Sequence, residues 1–162
     1  MHEFNPMEVD FWIKVAYAIL CGGLVGIERQ VRGKPVGVRT SILICLGTSV
    51  FVELGGLLGT GNGDPSRVLG QVVTGVGFLG AGVMLSRGGV VSGVTTAAVI
   101  WILAAIGACI GLGYFDAALV FAVLTVSVLI GVSLLEAGFR RLRTGIYAED
   151  AEDADKEEDY SD

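Results

Sequence analysis

The sequence predicts an all-α membrane protein: a bundle of about five transmembrane helices, with the amino terminus outside and the carboxy terminus cytoplasmic. Three observations predict it. The 162 residues are 52% apolar and 17% charged, with a mean hydropathy of +0.69, against the roughly 45–50% apolar and 25% charged balance of soluble domains. Five apolar runs each come close to the ~20 residues a helix needs to cross about 30 Å of hydrocarbon. The basic residues collect near alternate helix ends.

The runs are Phe11 to Ile27, Thr40 to Gly59, Val68 to Leu85, Val94 to Gly113 and Phe115 to Leu135. They lack the alternation of barrel strands, so helices must satisfy their backbone groups in lipid. Asp64 and Pro65 read as the N-cap and first residue of the third helix. Gly88, Gly89 and Gly93 mark a tight turn before Thr95 and Thr96, and Gly111 and Gly113 close the fourth helix before Asp116 opens the fifth. With the amino terminus outside, Arg29, Arg32, Lys34, Arg39, Arg87, Arg140, Arg141 and Arg143 face the cytoplasm, and Arg67 alone faces outward. Lys14 is expected to snorkel outward from the first helix.

Charge divides the chain into a domain at 1–145 and an acidic segment at 146–162. Glu149 to Asp162 holds nine acids and one lysine, whereas residues 1 to 146 hold ten basic and eight acidic residues. The segment is expected to be disordered, cytoplasmic and dispensable for insertion. The slightly basic body does not predict a nucleic-acid-binding face. Acids at Glu3, Glu8 and Asp10 argue against a cleaved signal peptide.

Glycine supplies 25 residues, about twice its usual ~7% share, although it costs a helix about 1 kcal/mol against alanine. Gly22 with Gly26, Gly55 with Gly59, and Gly107 with Gly111 fit GxxxG; Gly77 with Ala81 and Gly82 with Ser86 are small-residue variants. Such pairs let helix backbones approach in lipid. The expectation is a tightly packed bundle, with homodimerisation or a partner's helix as the other use of these stripes.

The chemistry-bearing residues are few. Cys21, Cys45 and Cys109 lie in apolar runs without metal or redox spacing, and read as small buried hydrophobes. His2 is the only histidine, and no nucleophile has a base in reach, so no enzyme, metal site or cofactor is expected. Gly75, Gly77 and Gly80 match GxGxxG but lie mid-membrane without a preceding strand or a following acid. Glu53, an intramembrane acid, has two readings: part of a polar seam with Cys45 and Ser49 facing a cavity or partner, or a protonated or interfacial carboxyl. Asp64, Arg67 and Gln71 are either a capped helix start with an interfacial arginine or a functional set at the entrance of the third helix.

These residues fall into an ordered series that resembles the MgtC/SapB membrane proteins. Gly22 to Arg29, including Glu28, followed by Lys34, Gly37, Arg39 and Thr40, is similar to the family's GLxxGxER…KxxGxRT stretch. Asp64, Arg67, Gln71 and Gly75 to Gly82, including Gly77, Phe78 and Gly80, resemble D…R…Q…GxGFLGAG. Gly93 to Trp101, including Thr95 and Thr96, resembles GLTTAAxxW, with Val94 in place of leucine. The resemblance implies a five-helix domain in the cell (cytoplasmic) membrane, linked to magnesium limitation. It implies action on other integral membrane proteins, including the proton-driven ATP synthase, with a homo-oligomer as a further option. It shifts Asp64, Arg67 and Gln71 toward function and adds nothing for Glu53. Many such proteins carry a carboxy-terminal cytoplasmic domain, where only the acidic segment follows Gly145 here. A Mg²⁺ or proton transporter using Glu53, Asp64 and Gln71, and a structural subunit of a membrane complex, are the alternatives.

Overall fold

The structure, a computed structural model, describes residues 5–58, 65–87 and 90–138. Within them lie five helices, α1 (Val9–Val31), α2 (Val38–Leu58), α3 (Pro65–Gly82), α4 (Val94–Gly111) and α5 (Phe115–Gly138). An antiparallel hairpin of β1 (Leu85–Arg87) and β2 (Val90–Ser92) joins α3 to α4, pairing Leu85 with Ser92 and Arg87 with Val90. Four helices, α1, α2, α4 and α5, are long and apolar enough to cross a membrane. The 18 residues of α3 reach about 27 Å at 1.5 Å each, but Arg67, Gln71 and its glycines dilute its apolar character.

Helix α1 begins after Glu8, which is extended (φ −85°, ψ 144°), with Asp10 in its first turn and Arg29 in its last, the charge order that suits the helix dipole. Its end closes as Gly33 N–H donates to Gln30 O (3.1 Å) and Lys34 N–H to Arg29 O (2.9 Å). Helix α4 starts at Gly93 in the left-handed region (φ 88°), where a Cβ would collide with the carbonyl oxygen of Val83. Only glycine fits that junction. Helix α3 stops at Gly82, short of the run read to Leu85, because Leu85 to Arg87 pair with Val90 to Ser92. Paired strands thus stand where the sequence predicts helix up to Leu85 and a turn after it; Gly88 and Gly89 lie outside the described residues.

The core is built by α1, α2, α4 and α5 around Cys21, Val25, Cys45, Leu103, Ile106 and Ala118. Helix α2 sits at its centre because glycines on both flanking helices admit its backbone. A Cβ at Gly22 would lie 2.8 Å from Ile42 Cα, and one at Gly26 2.5 Å from Val38 Cα. From the other side, Gly107 and Gly111 meet the carbonyl oxygens of Cys45 and Ser49, each 2.5 Å from the built Cβ. Gly55 meets the Val68 side chain, while its GxxxG partner Gly59 lies outside the described residues. Helix α3 attaches on one side, through Val76 against Ile100 and Ala104.

The glycines of α3 correct the expectation of packing everywhere. Gly70, Gly75, Gly77 and Gly82 meet nothing within 4 Å, and only Gly80 touches a neighbour, 3.5 Å from Ala97 Cβ. Among the described residues the Gly77/Ala81 pair thus joins no other helix, and Gly82/Ser86 is no helical pair, because α3 ends at Gly82 and Ser86 lies in β1. The Gly77/Ala81 spacing is right for close approach, but the helix turns that face away from the bundle.

Candidate functional site

One membrane end carries a polar cluster that ties four elements together. Arg29 is 4% exposed; its Nη2 donates to Thr96 Oγ1 on α4 (2.7 Å) and its Nε to Pro35 O in the α1–α2 loop (3.3 Å). The next residue, Val36, is held at φ 63°, a strained conformation for a β-branched side chain, costing about 1–3 kcal/mol. Its carbonyl accepts from Ser41 Oγ (3.3 Å), so the strained turn is bound from both helices. Glu28 Oε1 pairs with Arg32 Nε (2.7 Å), and Arg32 Nη1 donates to Ser133 Oγ on α5. Glu28 Oε2 is buried without a partner among the described residues.

Glu28, Arg29 and Thr96 are therefore brought together, but Arg39, Thr40 and Thr95 are exposed beside them. Arg39 is one turn below Leu43 on α2, and Thr40 and Leu43 begin a groove of about 600 Å³ between α2 and α3. It continues along Ile44, Gly47, Val72, Gly75 and Val76 to Phe51 and Gln71. Trp101, 55% exposed, lines a smaller 280 Å³ cavity on the α3–α4 side.

The second predicted set is only partly described. Asp64, and with it the predicted N-cap, lies outside the described residues. Arg67 and Gln71 are exposed on α3, as are Gly75, Gly77 and Gly82; Phe78 is 79% exposed and Gly80 is buried against α4. Gly70, Thr74, Gly77 and Ala81 recur at helical spacing and are all exposed, giving α3 an outward strip of small side chains. Thr74 Oγ1 turns back to Gly70 O (2.9 Å), keeping that strip low.

Glu53 has a partner that neither of its readings named. Its Oε1 accepts from Lys14 Nζ on α1 (2.7 Å), and the same ammonium meets Asp10 Oδ2 (2.8 Å). The Lys14 ammonium thus bridges two carboxylates by charge-assisted bonds, Glu53 across on α2 and Asp10 one turn nearer the amino-terminal end of α1. Nor is there one polar seam: Cys45 Sγ donates to Leu103 O (3.3 Å) and Ser49 Oγ to Leu46 O (3.0 Å). No group of three His, Cys, Asp or Glu residues could hold a metal ion among the described residues.

The family model described as MgtC family matches residues 15–137, a span that takes in the buried cluster and all of α3. The chain belongs to the MgtC family. YhiD of Escherichia coli (strain K12), whose name proposes a magnesium transporter, is 42% identical over 130 residues, covering 76% of this chain and 60% of its own. Protein MgtC of Brucella abortus (strain 2308) is 42% identical over 114 residues, 70% of this chain and 48% of its own. Protein MgtC of Salmonella typhimurium (strain 14028s / SGSC 2262) is 39% identical over 117 residues, 72% and 50% of the two chains. The chain thus spans about half to 60% of the length of these MgtC-family relatives. No solved structure matches it.

Ser133, Ser41, Pro35 and Lys14 were missed by sequence reasoning. Lys14 carried a usable signal: it lies as far into α1 from Val9 as Glu53 lies from Leu58 in α2, so antiparallel packing sets the two charges level.

Proposed function

We propose that this MgtC-family chain is a regulator of other integral membrane proteins, linked to magnesium limitation, and that α3 presents the face that binds them. The supporting observation is the division among its glycines. Those of α1 and α4 meet the backbone of α2, whereas Gly70, Gly77 and Gly82 of α3 meet nothing. A glycine on a lipid-exposed helix face costs helix propensity and gains packing only when another helix arrives. The exposed Phe78 beside the strip offers that helix an aromatic contact.

The name of YhiD supports the magnesium link and also carries a second reading, transport. Support for regulation over transport comes from Glu53, since its carboxylate is already engaged by the Lys14 ammonium. Two measurements test the proposal together. Complementation on low-magnesium medium should fail for Gly77→Leu at wild-type protein abundance, because a Cβ added at that position meets nothing of the described chain within 4 Å. Purified protein alone in liposomes should move neither Mg²⁺ nor protons above empty vesicles. Growth of Gly77→Leu like wild type would remove α3 as the partner face, and flux lost in Glu53→Gln would establish the transporter.

A further inference from the structure

We propose that the α2–α3 groove is a binding site for one anionic phospholipid, with the phosphate at Arg39 and Thr40 and an acyl chain running up to Gln71. The groove opens at membrane level on the outside of the bundle, where Leu43 is 66% and Phe51 62% exposed. Its volume of about 600 Å³ lies within the roughly 300–1,000 Å³ of small-molecule sites. Its depth comes from two missing side chains, at Gly47 and Gly75, which face open space.

Length and charge select the occupant. From Thr40 to Phe51 along α2 the groove measures about 16 Å at 1.5 Å per residue, close to the ~15 Å that one leaflet contributes to a 30 Å hydrocarbon core. Its walls between those residues are apolar except for Thr48 part-way, with Thr40 at one end and the Gln71 amide at the other. Arg39 is exposed at the mouth, on the face of Leu43, and Lys34 is exposed in the adjoining loop. In the first turn of α2 the Val38 N–H is taken by Gln30 Oε1 (3.4 Å) and the Ser41 N–H by Gly37 O (3.0 Å), so the phosphate falls to the Arg39 guanidinium and the Thr40 hydroxyl. A phosphate joined to a hydrocarbon chain satisfies the mouth and the walls together, whereas a protein helix would leave the basic mouth uncovered.

The test is native mass spectrometry of the full chain with equal amounts of dioleoyl phosphatidylglycerol and dioleoyl phosphatidylcholine. One phosphatidylglycerol per chain should survive activation that strips phosphatidylcholine. Arg39→Ala should lower that retention about fivefold, from the ~1 kcal/mol that one basic residue gives an anionic lipid. Gly75→Leu and Gly47→Leu both fill the groove from positions where an added Cβ meets nothing within 4 Å and should abolish retention, while Gly131→Leu, at an equally open position on α5, should leave it unchanged. Equal retention of the two lipids, or a Gly75→Leu protein with unchanged melting temperature that retains lipid as before, overturns the proposal. So does a photo-crosslinker at Leu79 that captures protein and no lipid in native membranes. Complementation by Gly77→Leu is a separate readout, so either proposal can fail without the other.

Discussion

Substituting alanine at two glycines separates packing inside the chain from packing against something else. At Gly107 the added Cβ would stand 2.5 Å from Cys45 O, 2.8 Å from Thr48 Cβ and 3.0 Å from Cys45 Cα. At Gly77 it would meet nothing within 4 Å. Both replacements gain the same helix propensity, about 1 kcal/mol, so the difference between the variants isolates the overpacking cost. That cost is about 1–3 kcal/mol for an added methyl, and the upper end applies because two of the three obstructing atoms are main chain and cannot rotate away. Gly107→Ala should therefore be less stable than Gly77→Ala by about 3 kcal/mol, with Gly77→Ala at or slightly above wild type. Equilibrium unfolding in mixed micelles with increasing dodecyl sulfate, followed by circular dichroism, measures both. Equal loss in the two variants would mean that Gly77 packs inside the chain, and the assignment of α3 as an outward face would collapse.

Thr96→Val removes the acceptor of a buried guanidinium and should cost about 1–3 kcal/mol in the same unfolding assay; Thr96→Ser should restore most of it. Lys14→Met alone should destabilise, leaving Glu53 and Asp10 facing each other, whereas Lys14→Met with Glu53→Leu should recover, because replacing both partners removes the desolvation cost. Cysteine labelling on a background lacking the native cysteines should find Gly33 and Gly88 on the cytoplasmic side; labelling of position 88 from outside would contradict the predicted orientation. In complementation at equal abundance, Asp64→Asn and Gln71→Leu should lose activity while inserting normally, and growth of Asp64→Asn like wild type would return that residue to plain capping.

The helices were legible because membrane spans announce themselves by length: four of the five predicted runs coincide with long apolar helices. The third run was overextended because Val83 to Leu85 is as apolar as the helix before it, and hydropathy cannot distinguish a helical turn from a short strand. The sites divided along a similar line. Spacing told which glycines could admit another backbone, but not which side of α3 the bundle would occupy. The Arg29 to Thr96 bond joins residues 67 apart, and no local pattern encodes such a pairing. Depth does, since each lies two residues from a helix end at the same face of the membrane (Val31 for α1, Val94 for α4).

The bond from Arg32 to Ser133 spans 101 residues and has a consequence for biosynthesis. At roughly 5–20 residues per second, a ribosome needs on the order of 5–20 s to supply the serine after the arginine has been made. Through that interval Arg32 has only Glu28 of its own helix for company, and α1 is released into the bilayer with its polar face unfinished. The Glu28 to Arg32 pair then serves as a provisional closure that the end of α1 carries alone, and arrival of α5 completes it. Chains stalled before residue 133 should therefore hold Arg32 against Glu28 alone, a state that insertion chaperones and membrane proteases can tell from the finished protein, where Ser133 accepts from its Nη1.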